Sequence, residues 1–199
     1  TDCLERALAL SPHNPAALTN LGFALADLGR RTEAIRTLSR AVELEPGLAE
    51  AHHGLGRVLL DSGDMAAAAE SLQRAVALKP ALRDACLLLA SALLVLRRLA
   101  DARAVVARVL EIEPAHPDAL AAELNCNLKM CDWRGLEGSL ARIRALECGT
   151  ARTQPFLLLA VSDDPDEQLQ AARRRAETAT VGVVALTRSS PRVHERIRV

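Results

Sequence analysis

Apolar residues recur at helical spacing along most of the chain, and the whole pattern of apolar and polar positions returns every 34 residues. The apolar positions of one unit are Leu18, Leu21 and Leu25 on a first helix, and Ala34, Leu38 and Ala41 on a second helix. The same stride carries Leu38 onto Leu72 and then onto Val106. A fixed period of this length predicts helix pairs that stack side by side, each burying its apolar face against its neighbours.

Turn and packing signals fall at fixed places within each unit. Gly29 and Gly63 follow the first helix, where we expect left-handed residues. Each second helix should end before a proline, because the residue that precedes a proline avoids helical geometry. These prolines are Pro46, Pro80 and Pro114. Gly22 and Gly56 are small residues that allow the two helices of a unit to approach closely.

The start of the first full unit has its own signal. Asn14 is a predicted cap for the first helix, and Pro15 takes a place in its first turn. His13 and His116 lie next to prolines in turns between units, and we interpret both as surface residues.

The pair Leu21-Gly22, then Ala34, an apolar residue four positions later and the closing Pro46 resemble a tetratricopeptide repeat. This resemblance implies an all-α, right-handed superhelix (an α-solenoid). Its units are a partial repeat over 1–14 (second helix only), full repeats over 15–48, 49–82 and 83–116, and a degenerate capping repeat over 117–150. The chain begins without Met, inside a unit, and is expected to be part of a longer protein.

Composition and charge exclude several kinds of partner. The 199 residues carry 25 basic and 25 acidic side chains, and only 2% are aromatic. We therefore expect no nucleic-acid partner, since there is neither a net positive field nor an aromatic surface for base stacking. No apolar run is long enough for a membrane span.

The cysteines favour a reducing, cytoplasmic location. Their number is odd and their spacing irregular, which is typical of free thiols. Cys126 and Cys131 lack a second Cys or His pair nearby in sequence, so we predict no metal site.

A second resemblance begins after residue 125. Its first two motifs are Cys131-Asp132-Trp133 and Pro155-Phe156. They are followed by an Asp-x-Pro-x-x-Gln pattern that contains Asp164, Pro165 and Gln168, and then by Arg196-Ile197-Arg198-Val199. Together they resemble the junction between repeats and catalytic domain in O-linked N-acetylglucosamine transferases and SPINDLY-type protein glycosyltransferases. The resemblance implies that residues 151–199 are a helical linker and the truncated start of an α/β lobe. The sugar-nucleotide site, for a UDP-sugar such as UDP-GlcNAc, would lie beyond this chain, which itself needs no cofactor.

Within this linker, Asp164 is a predicted helix cap and Pro165 the first-turn residue. The arginine triplet over 173–175 is interpreted as charge toward the negative end of that helix. Residues 181–186 are predicted to form a strand or buried segment, and 187–195 a loop.

No catalytic residue is predicted, because no phosphate loop, carboxylate pair or nucleophile–base set stands out. The candidate site is instead a peptide-binding groove along the first helices. Its residues are Asn20, Phe23, Asp27, His53, Arg57, Asp61, Asp84 and Ser91. The alternative interpretation is a solvated inner face without a ligand.

The glycosyltransferase resemblance also implies a ladder of asparagines that clamps a substrate backbone. Only Asn20 matches it, since the equivalent positions hold Gly54, Leu88 and Ala122. The sequence therefore gives little support for clamping by an asparagine ladder in this chain.

Two functions remain open at this point. In the first, the array positions acceptor proteins or extended peptides for an O-GlcNAc transferase-like enzyme. In the second, it is a stand-alone adaptor that scaffolds partners without enzymatic activity. The acceptors, the identity of the sugar and a homodimer through the convex side stay open.

Overall fold

The computed structural model describes residues 13–147 and 164–179 of the chain. All regular structure in these two ranges is helical. The helices are α1 (Pro15–Asp27), α2 (Arg31–Leu44), α3 (Ala49–Asp61), α4 (Met65–Leu78), α5 (Arg83–Val95), α6 (Leu99–Ile112), α7 (Pro117–Met130), α8 (Leu136–Glu147) and α9 (Pro165–Ala179). The all-α fold predicted from the 34-residue period is confirmed.

Helices α1 to α8 stack in chain order, each packed against the next. Each odd-numbered helix also contacts the following odd-numbered helix, whereas among the described residues the even-numbered helices make no such contacts with one another. The odd-numbered, or first, helices therefore form the more tightly gathered layer. Their outward surface is the concave face of the array.

The two helices of a unit approach closely where glycine was expected to allow it. A Cβ atom added at Gly22 would lie 2.4 Å from Leu38 Cγ, and one added at Gly56 would lie 2.5 Å from Leu72 Cγ. Both leucines are fully buried. The predicted packing role of these glycines is confirmed, because any side chain there would displace the leucine that fills the core of the unit.

The turn inside each unit contains one left-handed residue. Gly29 has a φ of 75° and Gly63 a φ of 87°, as predicted. The next two equivalent positions, 34 residues apart, hold Arg97 with a φ of 62° and Cys131 with a φ of 54°. The turn geometry is thus conserved along the array even where no glycine is available to adopt it without strain.

The helix starts differ from unit to unit. Asn14 caps α1 as predicted, since its Oδ1 accepts hydrogen bonds of 3.1 Å from the amides of Ala16 and Ala17. Leu48 and Leu82 stand at the same position and give no side-chain cap. His116 caps α7, with its Nδ1 accepting from the amide of Ala119 at 3.3 Å. The interpretation of His116 as an ordinary surface residue is therefore wrong.

The last hairpin, α7 and α8, is closed in part by polar side-chain contacts. Glu123 replaces the usual leucine and accepts a 2.8 Å hydrogen bond from the Ser139 hydroxyl. Arg142 contacts the same carboxylate at 3.3 Å and donates to the carbonyl oxygen of Pro114 at 2.8 Å. These contacts explain how a unit with a carboxylate at a core position still closes.

Residues 154–199 form a separate compact unit, of which α9 is described. The predicted cap is confirmed, because Asp164 Oδ1 accepts a 2.9 Å hydrogen bond from the amide of Asp166. The last turn of α9 contains no basic residue, so the arginines at 173–175 lie further inside the helix than expected. The partial repeat up to residue 12 and the segments over 181–186 and 187–195 fall outside the described residues. Among the helices that are described, none is long and apolar enough to cross a membrane.

Candidate functional site: the concave face of the first helices

Four of the predicted groove residues form one cluster between α1 and α3. The guanidinium carbon of Arg57 lies 5.1 Å from the centroid of the Phe23 ring, in cation–π geometry. Arg57 Nη2 also donates to Asp27 Oδ1 at 3.1 Å. The rings of Phe23 and His53 are 6.1 Å apart and inclined by 54°. The cluster therefore holds an aromatic ring, an imidazole and a guanidinium in a fixed arrangement on the concave face.

The Phe23 ring also explains why the asparagine ladder is interrupted. A Cβ atom at Gly54 would lie 3.0 Å from two ring carbons of Phe23 and 3.0 Å from Leu38 Cδ2. A side chain at this position would therefore require both neighbouring side chains to shift. The space that a backbone-clamping amide would need in the second unit is occupied by an aromatic ring from the first.

His53 is half-buried, and burial lowers the pKa of its imidazole below the ordinary value. The nearby Asp84 and Glu50 carboxylates pull the pKa upward, while the Arg57 charge pulls it further down. Burial outweighs these charges, so His53 favours the neutral form.

Two polar atoms of the cluster are buried without a protein partner. Within the described residues, His53 Nε2 and Arg57 Nε have no hydrogen bond to any protein group. Buried polar atoms normally have a partner, because leaving one unpaired costs free energy. Since both atoms are also shielded from the surface, a ligand could pair with them only after the side chains turn outward.

The remaining predicted residues lie outside this cluster. Asn20 and Asp61 are exposed on α1 and at the end of α3. Ser91 is also exposed, and its hydroxyl donates to the carbonyl oxygen of Leu87 in its own helix at 3.0 Å. The structure thus brings together Phe23, Asp27, His53 and Arg57. The binding role of all eight residues stays a prediction.

The described cysteines are free thiols. Cys86 and Cys126 are buried, and burial raises the pKa of the Cys126 thiol to about 11. Cys131 is exposed at the left-handed turn position. In the two described ranges, no three His, Cys, Asp or Glu side chains come together as metal ligands would.

Comparison with known proteins decides the family. Two family models, both for the tetratricopeptide repeat, match the chain; one covers residues 2–49 and 21–83, and the other covers 59–126. This chain belongs to the tetratricopeptide repeat family. The matches span more than half of the sequence, and the tetratricopeptide resemblance is confirmed. No curated protein sequence matches the chain.

Solved tetratricopeptide repeat proteins share the fold. MamA from Desulfovibrio magneticus RS-1 matches with a TM-score of 0.67 and 23% identity, covering 73% of this chain and 82% of MamA. YrrB, described as a tetratricopeptide repeat protein with an unusual peptide-binding site, matches with a TM-score of 0.69 and 16% identity over 87% of this chain and 91% of YrrB. The first repeat domain of Spaghetti (RPAP3), bound to the HSP90 peptide SRMEEVD, matches with a TM-score of 0.57 and 21% identity over 59% and 94%. The predicted right-handed solenoid is thereby confirmed.

Proposed function

We propose that the concave face binds an extended segment of a partner protein. The observation that carries this proposal is the pair of buried, unpartnered nitrogens, His53 Nε2 and Arg57 Nε, beside the Phe23 ring. A bound peptide offers backbone carbonyl groups, and these would pair with the two nitrogens as N–H donors once the side chains turn outward on binding. The ring supplies an apolar contact at the same place.

The structural neighbours support this kind of ligand. RPAP3 was solved with a peptide bound, and YrrB has a peptide-binding site, so the shared fold is used for peptides in those two proteins. Because the sequence identities are low, the residues that would contact a peptide have to be identified in this chain itself. The cluster around Arg57 provides such residues.

A protein-binding array of this kind fits an adaptor that holds a partner in place. We place it in a reducing, cytoplasmic compartment as part of the same proposal, because Cys86, Cys126 and Cys131 are free thiols.

The second candidate is the substrate-positioning arm of a protein glycosyltransferase. It is favoured by Cys131-Asp132-Trp133, which lies at the turn after α7; Asp132 is fixed there by a 2.9 Å ion pair to Arg103, and Trp133 is 62% exposed. The test is to express the complete open reading frame and measure transfer of sugar from UDP-GlcNAc to captured proteins. A reading frame that encodes no α/β domain after Val199 would eliminate this candidate.

The test of the groove replaces Asn20, His53 and Arg57 together by alanine and measures capture on an array of immobilised extended peptides. We expect weaker capture and an unchanged helical circular dichroism spectrum, because none of these three side chains belongs to the buried core of the array. The control replaces Gln73, Arg74 and Glu111, which lie on the second helices α4 and α6. Undiminished capture by the groove variant, or an equal loss in the control, would count against the concave face.

A further inference from the structure

The side chain of Arg57 closes part of the concave face between the first and second units. Its guanidinium carbon, on α3, lies 5.1 Å from the centroid of the Phe23 ring on α1. Its Nη2 donates to Asp27 Oδ1, also on α1, at 3.1 Å. This side chain, the Arg57 arm, therefore spans the boundary between two units and covers a ring face that a peptide would otherwise contact.

The contacts that hold the Arg57 arm against α1 are weak ones. The side chain of Asp27 is 72% exposed and that of Arg57 is 35% exposed, so water and salt screen their ion pair. A cation–π contact at a partly exposed site is also of modest strength. Little free energy is therefore needed to release the arm.

The closed arrangement also has a cost. Arg57 Nε is buried in it without a hydrogen-bond partner among the described residues. A buried donor of this kind has given up a hydrogen bond to water and gained none in return. Turning the arm outward would restore the bond to water. Because this gain opposes the loss of two weak contacts, the closed and open positions of the arm should differ little in free energy.

Within the described residues, the next boundary between first helices, from α3 to α5, has no such arm. The residue 34 positions after Arg57 is Ser91, whose hydroxyl donates to the carbonyl oxygen of Leu87 in its own helix. Asp84, the other predicted groove residue of α5, is exposed in the first turn, whereas Asp27 is the last residue of α1. Two units therefore stack without a bridge of this type, and the Arg57 arm is not a general requirement of the fold.

We propose that Arg57 is a gate on the concave face: paired with Asp27 and stacked on Phe23 it closes the groove between α1 and α3, and a peptide binds when the arm turns outward. The inference rests on the proposed peptide-binding function and adds how access to the groove is controlled. Opening uncovers the Phe23 ring and presents the N–H groups of Arg57 to the peptide backbone. Asp27 then restrains binding instead of contacting the peptide. Since only the open form binds, the closed fraction lowers the measured affinity.

The position of the arm can be followed without a ligand. Side-chain protons of Arg57 that lie over the Phe23 ring should have NMR resonances displaced by the ring current, and Arg57→Lys identifies these resonances. Asp27→Asn removes the ion pair with little change in volume and should move them toward the values of a solvent-exposed arginine. Asp132→Asn is the matched control, because it removes an exposed ion pair of 2.9 Å between two other neighbouring units. The control should leave the Arg57 resonances unchanged.

Binding is measured by fluorescence anisotropy with the uncharged peptide that is captured most strongly on the immobilised peptide array, labelled with a neutral dye. Asp27→Asn should tighten binding about two- to fivefold, the range that corresponds to the loss of an exposed ion pair. Asp132→Asn should leave the affinity unchanged. If Asp27 contacted the peptide, its replacement would have the opposite effect, because a favourable interaction would be lost.

Salt provides a second binding test that needs no substitution. Raising NaCl from about 0.05 M to 0.5 M screens the exposed pair of Arg57 with Asp27, whereas an uncharged peptide offers no charge to screen. The wild type should therefore bind this peptide more tightly as the salt concentration rises. The response should be lost in Asp27→Asn, in which the gate is already released.

The outcomes separate the gate from the binding function. If no immobilised peptide is captured, the proposed function and the gate fail together. If a peptide binds but Asp27→Asn weakens its binding or leaves it unchanged, the concave face binds peptides and the gate is wrong. Arg57 resonances that do not move in Asp27→Asn would likewise overturn the gate, because the ion pair would not be what holds the arm. If Asp27→Asn loses its helical circular dichroism, the salt response of the wild type decides.

Discussion

At the scale of single residues, His53 and the left-handed turn positions depart most from what their surroundings favour. His53 keeps a titratable ring half-buried beside the Phe23 ring. Arg97 and Cys131 adopt the left-handed backbone conformation, which is unfavourable for any residue that carries a Cβ atom. Each departure has a measurable consequence for the stability of the array.

The first consequence concerns pH. The folded protein holds the pKa of His53 below 6.5, so the unfolded chain takes up the proton first as the pH falls. Stability should be fully retained above about pH 6.5 and should decline as the pH falls below it. Urea midpoints measured between about pH 7.5 and pH 5.5 should fall, and His53→Gln should flatten this slope.

Glu33 and Glu50 should not contribute to the change between about pH 7.5 and pH 5.5. Their pKa values lie below the ordinary 4.5, so both carboxylates stay charged across this range. His13→Gln, in an exposed turn, is the control. An identical slope in the wild type and in His53→Gln would show that His53 does not govern the pH dependence.

The second consequence concerns the turn at Arg97. Replacing Arg97 by Gly should raise the free energy of unfolding by about 0.5–1 kcal/mol, since relief of left-handed strain outweighs the greater freedom of glycine in the unfolded chain. The converse control is Gly63→Ala, which introduces no contact within 4 Å and so tests the backbone conformation alone. It should lower the free energy of unfolding by about 1 kcal/mol. A destabilised Arg97→Gly would mean that the arginine side chain contributes more than its backbone costs.

At the scale of the helix pair, one glycine and one leucine set the distance between the two helices. Gly22 faces Leu38, and Gly56 faces Leu72. In the third unit the equivalent residues are Ala90 and Val106, both fully buried. Alanine is larger than glycine by one methyl group, and valine is smaller than leucine by one methylene group. The summed volume of the two side chains therefore stays close to that in the other units.

This relation predicts a coupled pair of substitutions. Gly56→Ala should destabilise the array by about 1–3 kcal/mol, because the new methyl overlaps Leu72. Leu72→Val in the same chain should restore part of that loss, giving the residue pair of the third unit. A double-mutant cycle from urea unfolding should therefore show a favourable coupling of about 1 kcal/mol. Strictly additive effects would contradict the contact.

Leu72→Ala tests the register of the repeats independently. Leu72 is fully buried, so its truncation should cost about 2–5 kcal/mol. Leu78→Ala, at an exposed position on the same helix, should cost much less. A urea midpoint unchanged by Leu72→Ala would mean that this side chain does not lie in the core.

The helix pair also shows how far sequence reasoning reaches. The period predicted the helical pairs and the close contacts at Gly22 and Gly56, because both follow from local spacing and residue volume. It could not predict the left-handed Arg97, since residue type alone does not favour this conformation and the turn is held by the hairpin around it. The cap at His116 and the ring contact at Gly54 were also missed. Predicting the cap requires knowing which rotamer His116 adopts. Predicting the contact at Gly54 requires knowing which residue of the neighbouring unit packs against it.

At the scale of the whole molecule, ion pairs lie across the helix boundaries of the array. Arg57 pairs with Asp27 at 3.1 Å, Lys79 with Glu50 at 2.8 Å, and Arg103 with Asp132 at 2.9 Å. Their side chains are substantially exposed, so each pair should contribute no more than about 1 kcal/mol. The apolar contacts between neighbouring helices should supply most of the stability.

The stability of the array should therefore respond only weakly to salt. Raising NaCl from about 0.05 M to 0.5 M shortens the screening length severalfold and weakens attraction between exposed charges. We expect the urea midpoint to change little, because the packing of the buried leucines and alanines is not affected by screening. A midpoint that falls steeply over the same interval would mean that ion pairs, rather than apolar contacts, hold the array together.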